Sequence, residues 1–185
     1  MQLNHFEDIY REYQHLVYNI ALAYVQNVED AEEITQDVFV SVHEALGTFR
    51  KDAKISTWIY RIAINKSLDF IKSKKRKKRF AILISVFRGD DSSISEHTEF
   101  NHPGVQLEQK EEMAFIFKCL NDLPVQQRTA IILAKLENKT QAEVAMIMNT
   151  SIKAVESLIQ RGKRNLEEKI SKSEGFENFR RLNKS

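Results

Sequence analysis

The chain has 185 residues, of which 42% are hydrophobic and 29% charged, and this composition is typical of a globular protein with one or two domains. Only five glycines and two prolines are present, so a turn-rich β architecture is not expected. A single cysteine excludes an intrachain disulfide framework, and no apolar run approaches the roughly 20 residues of a membrane helix. No secretory signal peptide is visible at the N-terminus. The sequence therefore predicts a cytoplasmic protein with no membrane insertion of its own.

The first part of the chain shows helical periodicity. Apolar residues between Phe6 and Tyr24 recur every three or four positions, which predicts one long amphipathic helix. A second helix is predicted from about Glu29 to Leu46, with Gly47 ending it. Its outer face is either solvated or a docking surface for a basic or polar partner. This face carries an acidic stripe, defined here as Glu32, Glu33, Gln36 and Asp37.

A segment rich in aromatic and basic residues follows. Residues 48–55 are predicted to form a loop, and a third helix begins near Ser56 and continues into the basic run Lys72–Arg79, in which seven of eight residues are cationic. Single-stranded nucleic acid is bound by rings that stack on bases and by cations that follow phosphates. The alternative is that Trp58 and Tyr60 belong to the core and the cations are solvated. The interleaved residues are Phe49, Arg50, Lys51, Lys54, Trp58, Tyr60, Arg61 and Lys66.

Periodicity is lost after the basic run. Residues 80–107 are predicted to be a flexible linker, in which the apolar segment 81–87 either extends the preceding helix or docks on a neighbouring domain. Helical signals return at about 109–121, and Pro124 suits the first turn of the next helix. That helix is predicted to bury Ile131, Ile132, Leu133 and Leu136.

Residues 140–166 carry the most informative pattern of the chain. Thr140 and Glu143 have the spacing of a capping box, and Ser151 can cap the next helix after a short turn. Two short helices joined in this way form a helix-turn-helix. A helix in the major groove needs long polar side chains that reach base edges and phosphates, whereas the alternative is a solvated face. The candidates are Lys153, Glu156, Ser157, Gln160, Arg161 and Arg164.

Catalytic and metal-binding patterns are poor. The five histidines show no metal-ligand spacing, and neither a phosphate-binding loop nor a hydrolase nucleophile motif is present. Cys119 lies among apolar residues at helical positions and is assigned to the core. We therefore expect no enzymatic activity, no metal and no cofactor.

Taken together, these segments resemble the extracytoplasmic-function (ECF) sigma factors, the smallest class of the sigma-70 superfamily of RNA polymerase sigma factors. The matching segments stand in family order and at family spacing. Their sequences are DAEEITQDVF at 30–39, FRKDAKISTWIYRIAINKSLDFIKSKKRKKR at 49–79, LPVQQR at 123–128 and TQAEVAMIMNTSIKAVESLIQRGKRNL at 140–166.

The resemblance implies an all-α protein of two small helical domains joined by a flexible linker. Sigma domain 2 is expected at 1–79, the linker at 80–107, sigma domain 4 at 108–172 and a C-terminal tail at 173–185. Such a protein binds RNA polymerase core and directs it to specific −10/−35 promoters. Two alternatives stay open: a helix-turn-helix regulator that acts without polymerase core, and an adaptor that binds a partner through residues 29–37 and no DNA.

The family motifs also imply roles for individual residues. Glu32, Glu33, Gln36 and Asp37 would contact the clamp helices of the polymerase large subunit. Phe49, Arg50, Lys51, Lys54, Trp58, Arg61 and Asn65 would bind the single-stranded −10 element. Lys153, Glu156, Ser157, Gln160, Arg161 and Arg164 would read the −35 duplex, and an anti-sigma factor is an expected partner. At two positions, Glu156 and Leu158, the family often has a basic residue.

Overall fold

The computed structural model describes residues 5–49, 54–88 and 110–172, with side chains described for 5–49, 54–81 and 113–172. Across these ranges the ordered elements are all helical and no strand occurs, so the predicted all-α class is confirmed. The described residues form two compact units: unit one contains 5–49 and 62–88, and unit two contains 54–61 and 110–172. The predicted domain boundaries at residues 79, 107 and 172 stay predictions.

Unit one begins with two helices joined by a two-residue turn. Helix α1 spans Phe6–Val25 and α2 spans Val28–Ala45. Gln26 ends α1 in the left-handed region, at φ 53°, and its N–H donates to the Leu22 carbonyl at 2.8 Å. Asn27 then caps α2, since its side-chain oxygen accepts from the Asp30 N–H at 2.9 Å. The facing apolar side chains of the two helices are fully or almost fully buried: Ile9, Val17, Ile20, Ile34, Val38 and Val42.

Gly47 does not end α2 in the way the sequence predicted. The α-helix ends at Ala45 and tightens into a 3-10 turn, Leu46–Thr48, whose first residue stays right-handed. The Thr48 hydroxyl donates to the Ala45 carbonyl at 2.9 Å and so satisfies one of the free carbonyls at the helix end. The Thr48 side chain thus closes the helix end, where a glycine in the left-handed conformation was expected.

Helix α3 is the longest element, Ile55–Arg88. The predicted start near Ser56 is one residue late, because the Lys54 carbonyl already accepts from the Trp58 N–H at 3.3 Å. Ile59, Ala63 and Ser67 form its fully buried row at four-residue spacing. The Ser67 hydroxyl donates to the Ala63 carbonyl at 2.8 Å, so this buried polar group is satisfied. The backbone stays helical through 81–88, which is the first of the two alternatives for this apolar segment.

Unit two contains four further helices and a wide turn. Helix α4 spans Lys110–Asn121, α5 Val125–Ile131, α6 Gln141–Met148 and α7 Ile152–Lys172, and Ile132–Leu136 forms a π-helical turn after α5. Leu136 was predicted to be buried but is 45% exposed. The reason is the π turn, in which Glu137 N–H donates to the Ile132 carbonyl five residues back and thereby rotates Leu136 out of the face of Ile132 and Leu133.

The core of unit two depends on a close helix approach. Gly162 of α7 is buried against α5, and a Cβ atom there would lie 2.6 Å from Cδ1 of Ile131. Beside it, the Asn165 amide donates to the Gln127 side-chain oxygen at 2.8 Å. Cys119 is buried as predicted, and burial raises the pKa of its thiol. Within the described ranges, no helix is both long and apolar enough to cross a bilayer.

Candidate nucleic-acid and partner interfaces

The first helix of the helix-turn-helix begins with a complete capping box. The Glu143 N–H donates to the Thr140 hydroxyl oxygen at 3.3 Å, and the Thr140 N–H donates to the Glu143 carboxylate at 2.8 Å. These bonds hold the pKa of Glu143 below its usual value, with the backbone bond as the largest cause. The start of α6 is therefore specified by local hydrogen bonds, as the sequence predicted.

The turn between α6 and α7 is also closed by hydrogen bonds. Asn149 is left-handed at φ 51°, and the Thr150 N–H donates to the Ala145 carbonyl at 3.0 Å. Ser151 caps α7, because its hydroxyl oxygen accepts from the Ala154 N–H at 3.2 Å. Two helices joined by three residues confirm the predicted helix-turn-helix.

Helix α7 carries a buried row of side chains on one side and a polar row on the other. Val155, Leu158 and Ile159 are buried, so the departure from the family at Leu158 concerns the core. The six predicted −35 residues form the polar row, here called the recognition row, and all are exposed except the half-buried Ser157. Arg161 donates its Nε–H to the Ser157 carbonyl at 3.2 Å, and Glu156 makes no ion pair with any residue that the structure describes.

The acidic stripe lies on the outer face of α2. All four of its residues are exposed, and they alternate with the buried Ile34 and Val38. The next turn of the same face ends in Val40, which is 56% exposed. The stripe is thus available to a partner along about two helical turns.

The aromatic and basic segment is less uniform. Arg50 and Lys51 lie outside the described residues, while Lys54 and Asn65 are exposed and Phe49 and Trp58 are half-buried. Arg61 is half-buried within unit two, where its guanidinium donates to the carbonyls of Ile147 at 3.1 Å and Met146 at 2.6 Å, at the end of α6. Binding of the −10 element by Arg61 would require the release of these two bonds.

Tyr60 belongs to the core of unit two, which is the alternative that the sequence left open. Its hydroxyl donates to the Glu137 carboxylate at 3.0 Å, and the Lys139 ammonium lies 5.2 Å from its ring centroid. Burial raises the pKa values of both Tyr60 and Glu137. Sequence reasoning missed this group because Glu137 is placed by the π turn, which leaves no signal in the hydrophobic pattern.

Two family models match the chain: sigma-70 region 2 over residues 9–77, and sigma-70 region 4 over residues 107–166. The chain belongs to the sigma-70 family, in its ECF group. This sigma factor is 27% identical over 158 residues to the ECF RNA polymerase sigma-E factor of Escherichia coli strain K12, covering 85% of this chain and 82% of that one. It is 26% identical over 162 residues to the RNA polymerase sigma-H factor of Pseudomonas aeruginosa, with the same coverage.

Two solved structures share the fold of this sigma factor. CnrH in complex with the cytosolic domain of CnrY matches with a TM-score of 0.63 at 22% identity, over 91% of this chain and 89% of that one. The sigma factor RpoE in complex with the anti-sigma factor NepR from Bartonella quintana matches with a TM-score of 0.62 at 20% identity, over 91% and 98%. The sigma factor described here acts in transcription initiation.

Proposed function

We propose that this sigma factor docks on RNA polymerase core through the acidic stripe and reads its promoter with two helices. Helix α3 and the residues before it bind the −10 element, and α7 enters the major groove of the −35 element. The observation that carries the proposal is the recognition row on α7, which is exposed opposite a buried row in a fully capped helix-turn-helix.

The docking role of the acidic stripe rests on its chemistry and exposure. Ionised Glu33 and Asp37 accept charge-assisted hydrogen bonds from a basic partner, and Gln36 both donates and accepts. The family motif assigns this surface to the clamp helices of the polymerase large subunit. Because neighbouring Ile34 and Val38 are held in the core of unit one, the stripe is presented on a fixed helix rather than on a loop.

The −10 role is assigned to a face of α3 together with the residues that precede this helix. Bases taken out of the stack lose about a few kcal/mol, which a pocket with stacking and hydrogen-bonding groups restores. Trp58 and Phe49 offer partly exposed rings, and Asn65 offers an exposed amide. Arg61 joins this face when its bonds to the end of α6 are released.

The −35 role is assigned to the recognition row. Arginine and lysine suit guanine and phosphate, glutamine suits adenine, and glutamate accepts from the amino group of cytosine. The row contains each of these types, in Lys153, Glu156, Gln160 and Arg164. Such a mixture of side chains is suited to distinguishing base pairs as well as to binding the DNA backbone.

We further propose that the chain acts in the cytoplasm without catalysis of its own and that an anti-sigma factor holds it inactive. The similar solved RpoE was captured with such a partner. A regulator that acts without polymerase would use the recognition row but would have no use for the acidic stripe.

Run-off transcription with core enzyme tests the proposal. Core alone should give no promoter-specific product, whereas core with the full chain should give a product that is lost when either the −10 or the −35 element is scrambled. If the chain binds a promoter as tightly alone as with core, the regulator that acts without polymerase is correct instead.

A further inference from the structure

Ile152 is an apolar side chain that lies outside the buried row of α7. It is the first residue of the helix and is 51% exposed, whereas Val155, Leu158 and Ile159 are buried. Further along the helix, Leu166 and Ile170 are half-buried, so Ile152 is the exposed apolar side chain of α7 as the structure describes it. Packing in the core of unit two therefore does not account for an isoleucine at this position.

The local structure does not require Ile152 either. The Ser151 hydroxyl oxygen caps α7 by accepting from the Ala154 N–H at 3.2 Å, and the Ser151 carbonyl accepts from the Val155 N–H at 3.1 Å. Both bonds join Ser151 to the main chain, so the side chain of the next residue takes no part in them. Isoleucine is also a poorer helix former than alanine. Helix formation thus gives no reason for a large apolar residue here.

Ile152 lies at the N-terminal end of the recognition row. It precedes Glu156 by four residues, which places the two side chains about 6 Å apart along the helix axis and within about 40° around it. The row contains three cations, Lys153, Arg161 and Arg164, and one acidic residue, Glu156. The surface around Ile152 is therefore net positive, which suits a duplex with its phosphates better than an apolar surface of another protein.

Thymine is the base that presents an apolar group in the major groove. Its C5-methyl group stands there beside the hydrogen-bonding atoms of the base edges, and apolar side chains contact it. In a helix-turn-helix the N-terminal residues of the second helix are the ones that contact base edges. Ile152 combines the two requirements, because it is apolar and exposed and belongs to the first turn of that helix.

We propose that Ile152 contacts the C5-methyl group of one thymine in the −35 element and makes an A·T pair preferred at that position. The inference rests on the proposed function, because it takes α7 as the helix that enters the major groove. The contact removes apolar surface of both partners from water, whereas a G·C pair presents no methyl group there.

Replacement of thymine by deoxyuridine tests the contact, because it removes the methyl group and keeps every hydrogen-bonding atom of the base. Each thymine of the preferred −35 element is replaced singly, on either strand, and holoenzyme binding is measured at fixed salt. The parent should lose affinity about fourfold at one position, the effect of burying one methyl(ene) group. Ile152→Ala should bind the unmodified element more weakly and should be insensitive to deoxyuridine at that position.

Two further variants control for folding and for a general loss of apolar surface. Ile152→Val keeps both branches at Cβ and should still respond to deoxyuridine. Val125→Ala shortens a similarly exposed side chain, at 47%, in the first position of α5, and should respond to deoxyuridine as the parent does. Helical content by circular dichroism should be the same for all variants, since alanine is the best helix former.

The outcomes separate this contact from the proposed function. A parent that loses no affinity with any deoxyuridine, but still requires the −10 and −35 elements, would overturn the contact alone. Equal sensitivity to deoxyuridine in the parent and in Ile152→Ala would also overturn it and would assign the methyl group to another side chain. A parent whose binding is unchanged by a scrambled −35 element would overturn the proposed function itself.

Discussion

Helices α3 and α7 each set a polar row against a buried row, but the two polar rows differ in chemistry. On α7 the recognition row mixes cations with Glu156 and Gln160, so it offers both donors and acceptors to base edges. On α3 the face of Asn65 ends in a purely cationic row, Lys72, Arg76 and Arg79. Cations alone add affinity that is screened by salt, whereas mixed groups discriminate between base pairs. The chemistry of the α3 row therefore suits salt-dependent affinity, and that of the recognition row suits discrimination between base pairs.

The largest expected effect is on binding to polymerase core, through which both helices are proposed to reach DNA. Glu33→Lys/Asp37→Lys turns attraction to a basic partner into repulsion, which costs several kcal/mol when like charges meet in an interface. Core binding, measured by titration of core with labelled sigma factor, should fall by at least about a hundredfold. Helical content by circular dichroism should stay unchanged, since both side chains are exposed.

The matched control for the acidic stripe is Glu7→Lys/Asp8→Lys, which reverses two acidic residues in the first turn of α1. Core binding of this control should stay within a few-fold of the parent. If the stripe variant binds core as tightly as the control, the stripe is not the docking surface.

Gly162→Val should destabilise the packing of α7 in unit two and leave the helices of unit one unchanged. A side chain at this position meets Ile131 at contact distance or closer, and overpacking of a core costs about 1–3 kcal/mol. Amide hydrogen exchange should become faster in α5 and α7, while α1 and α2 keep the protection of the parent. Gly47→Ala, where an added Cβ would meet no atom of the described residues within 4 Å apart from its chain neighbours, is the control and should leave exchange unchanged. Protection of α5 and α7 equal to that of the parent would show that α5 accommodates the larger residue.

Glu156→Gln tests specificity on the recognition row. A carboxylate that accepts from cytosine should contribute about 1–3 kcal/mol of discrimination at one base pair. The lack of an ion pair to a described residue supports this reading over an intrahelical pair with Arg161, whose Nε–H is directed to the Ser157 carbonyl. The measurement is holoenzyme binding to all single-base variants of the −35 element at fixed salt. A uniform rise in affinity would instead indicate only the loss of a negative charge near phosphate.

The smallest effect concerns the cap of α6. The pKa of Glu143 is lowered in the folded chain, so its carboxylate stabilises α6 at pH values above its usual pKa, and this contribution is lost as the pH falls through the lowered value. Exchange protection of the α6 amides in the parent and in Glu143→Gln should therefore differ near neutral pH and converge in acid. Ser151→Ala, which removes an uncharged cap from α7, should reduce protection equally at every pH. A constant difference for Glu143→Gln would contradict the capping role of its charge.

Signals carried within a few residues were read correctly from the sequence. The capping pattern of Thr140 and Glu143, and the turn that Ser151 closes, both appear in the structure at the predicted positions. Each depends on hydrogen bonds between a side-chain oxygen and a main-chain N–H three residues away, so no tertiary partner is needed to infer it. The roles of the recognition row and the acidic stripe stay predictions, although the exposure of their residues suits them.

Features that depend on packing were not accessible from the pattern. The buried row of α3 contains Ala63 and Ser67, which carry little hydrophobic signal, while the larger Trp58 and Ile62 lie half-exposed. Leu136 is apolar but is turned outward by a π-helical turn, and a period of 3.6 cannot anticipate such a turn.

The hydrogen bonds that close the helix-turn-helix have a consequence for the evolution of promoter choice. Thr140, Asn149 and Ser151 determine where α6 begins and ends and where α7 begins, and the buried Val155 and Gly162 hold α7 in place. None of these residues belongs to the recognition row. If the recognition row reads the −35 element as proposed, a duplicated gene can acquire a new set of promoters by substitutions in that row, while the selection that preserves the fold acts on other positions.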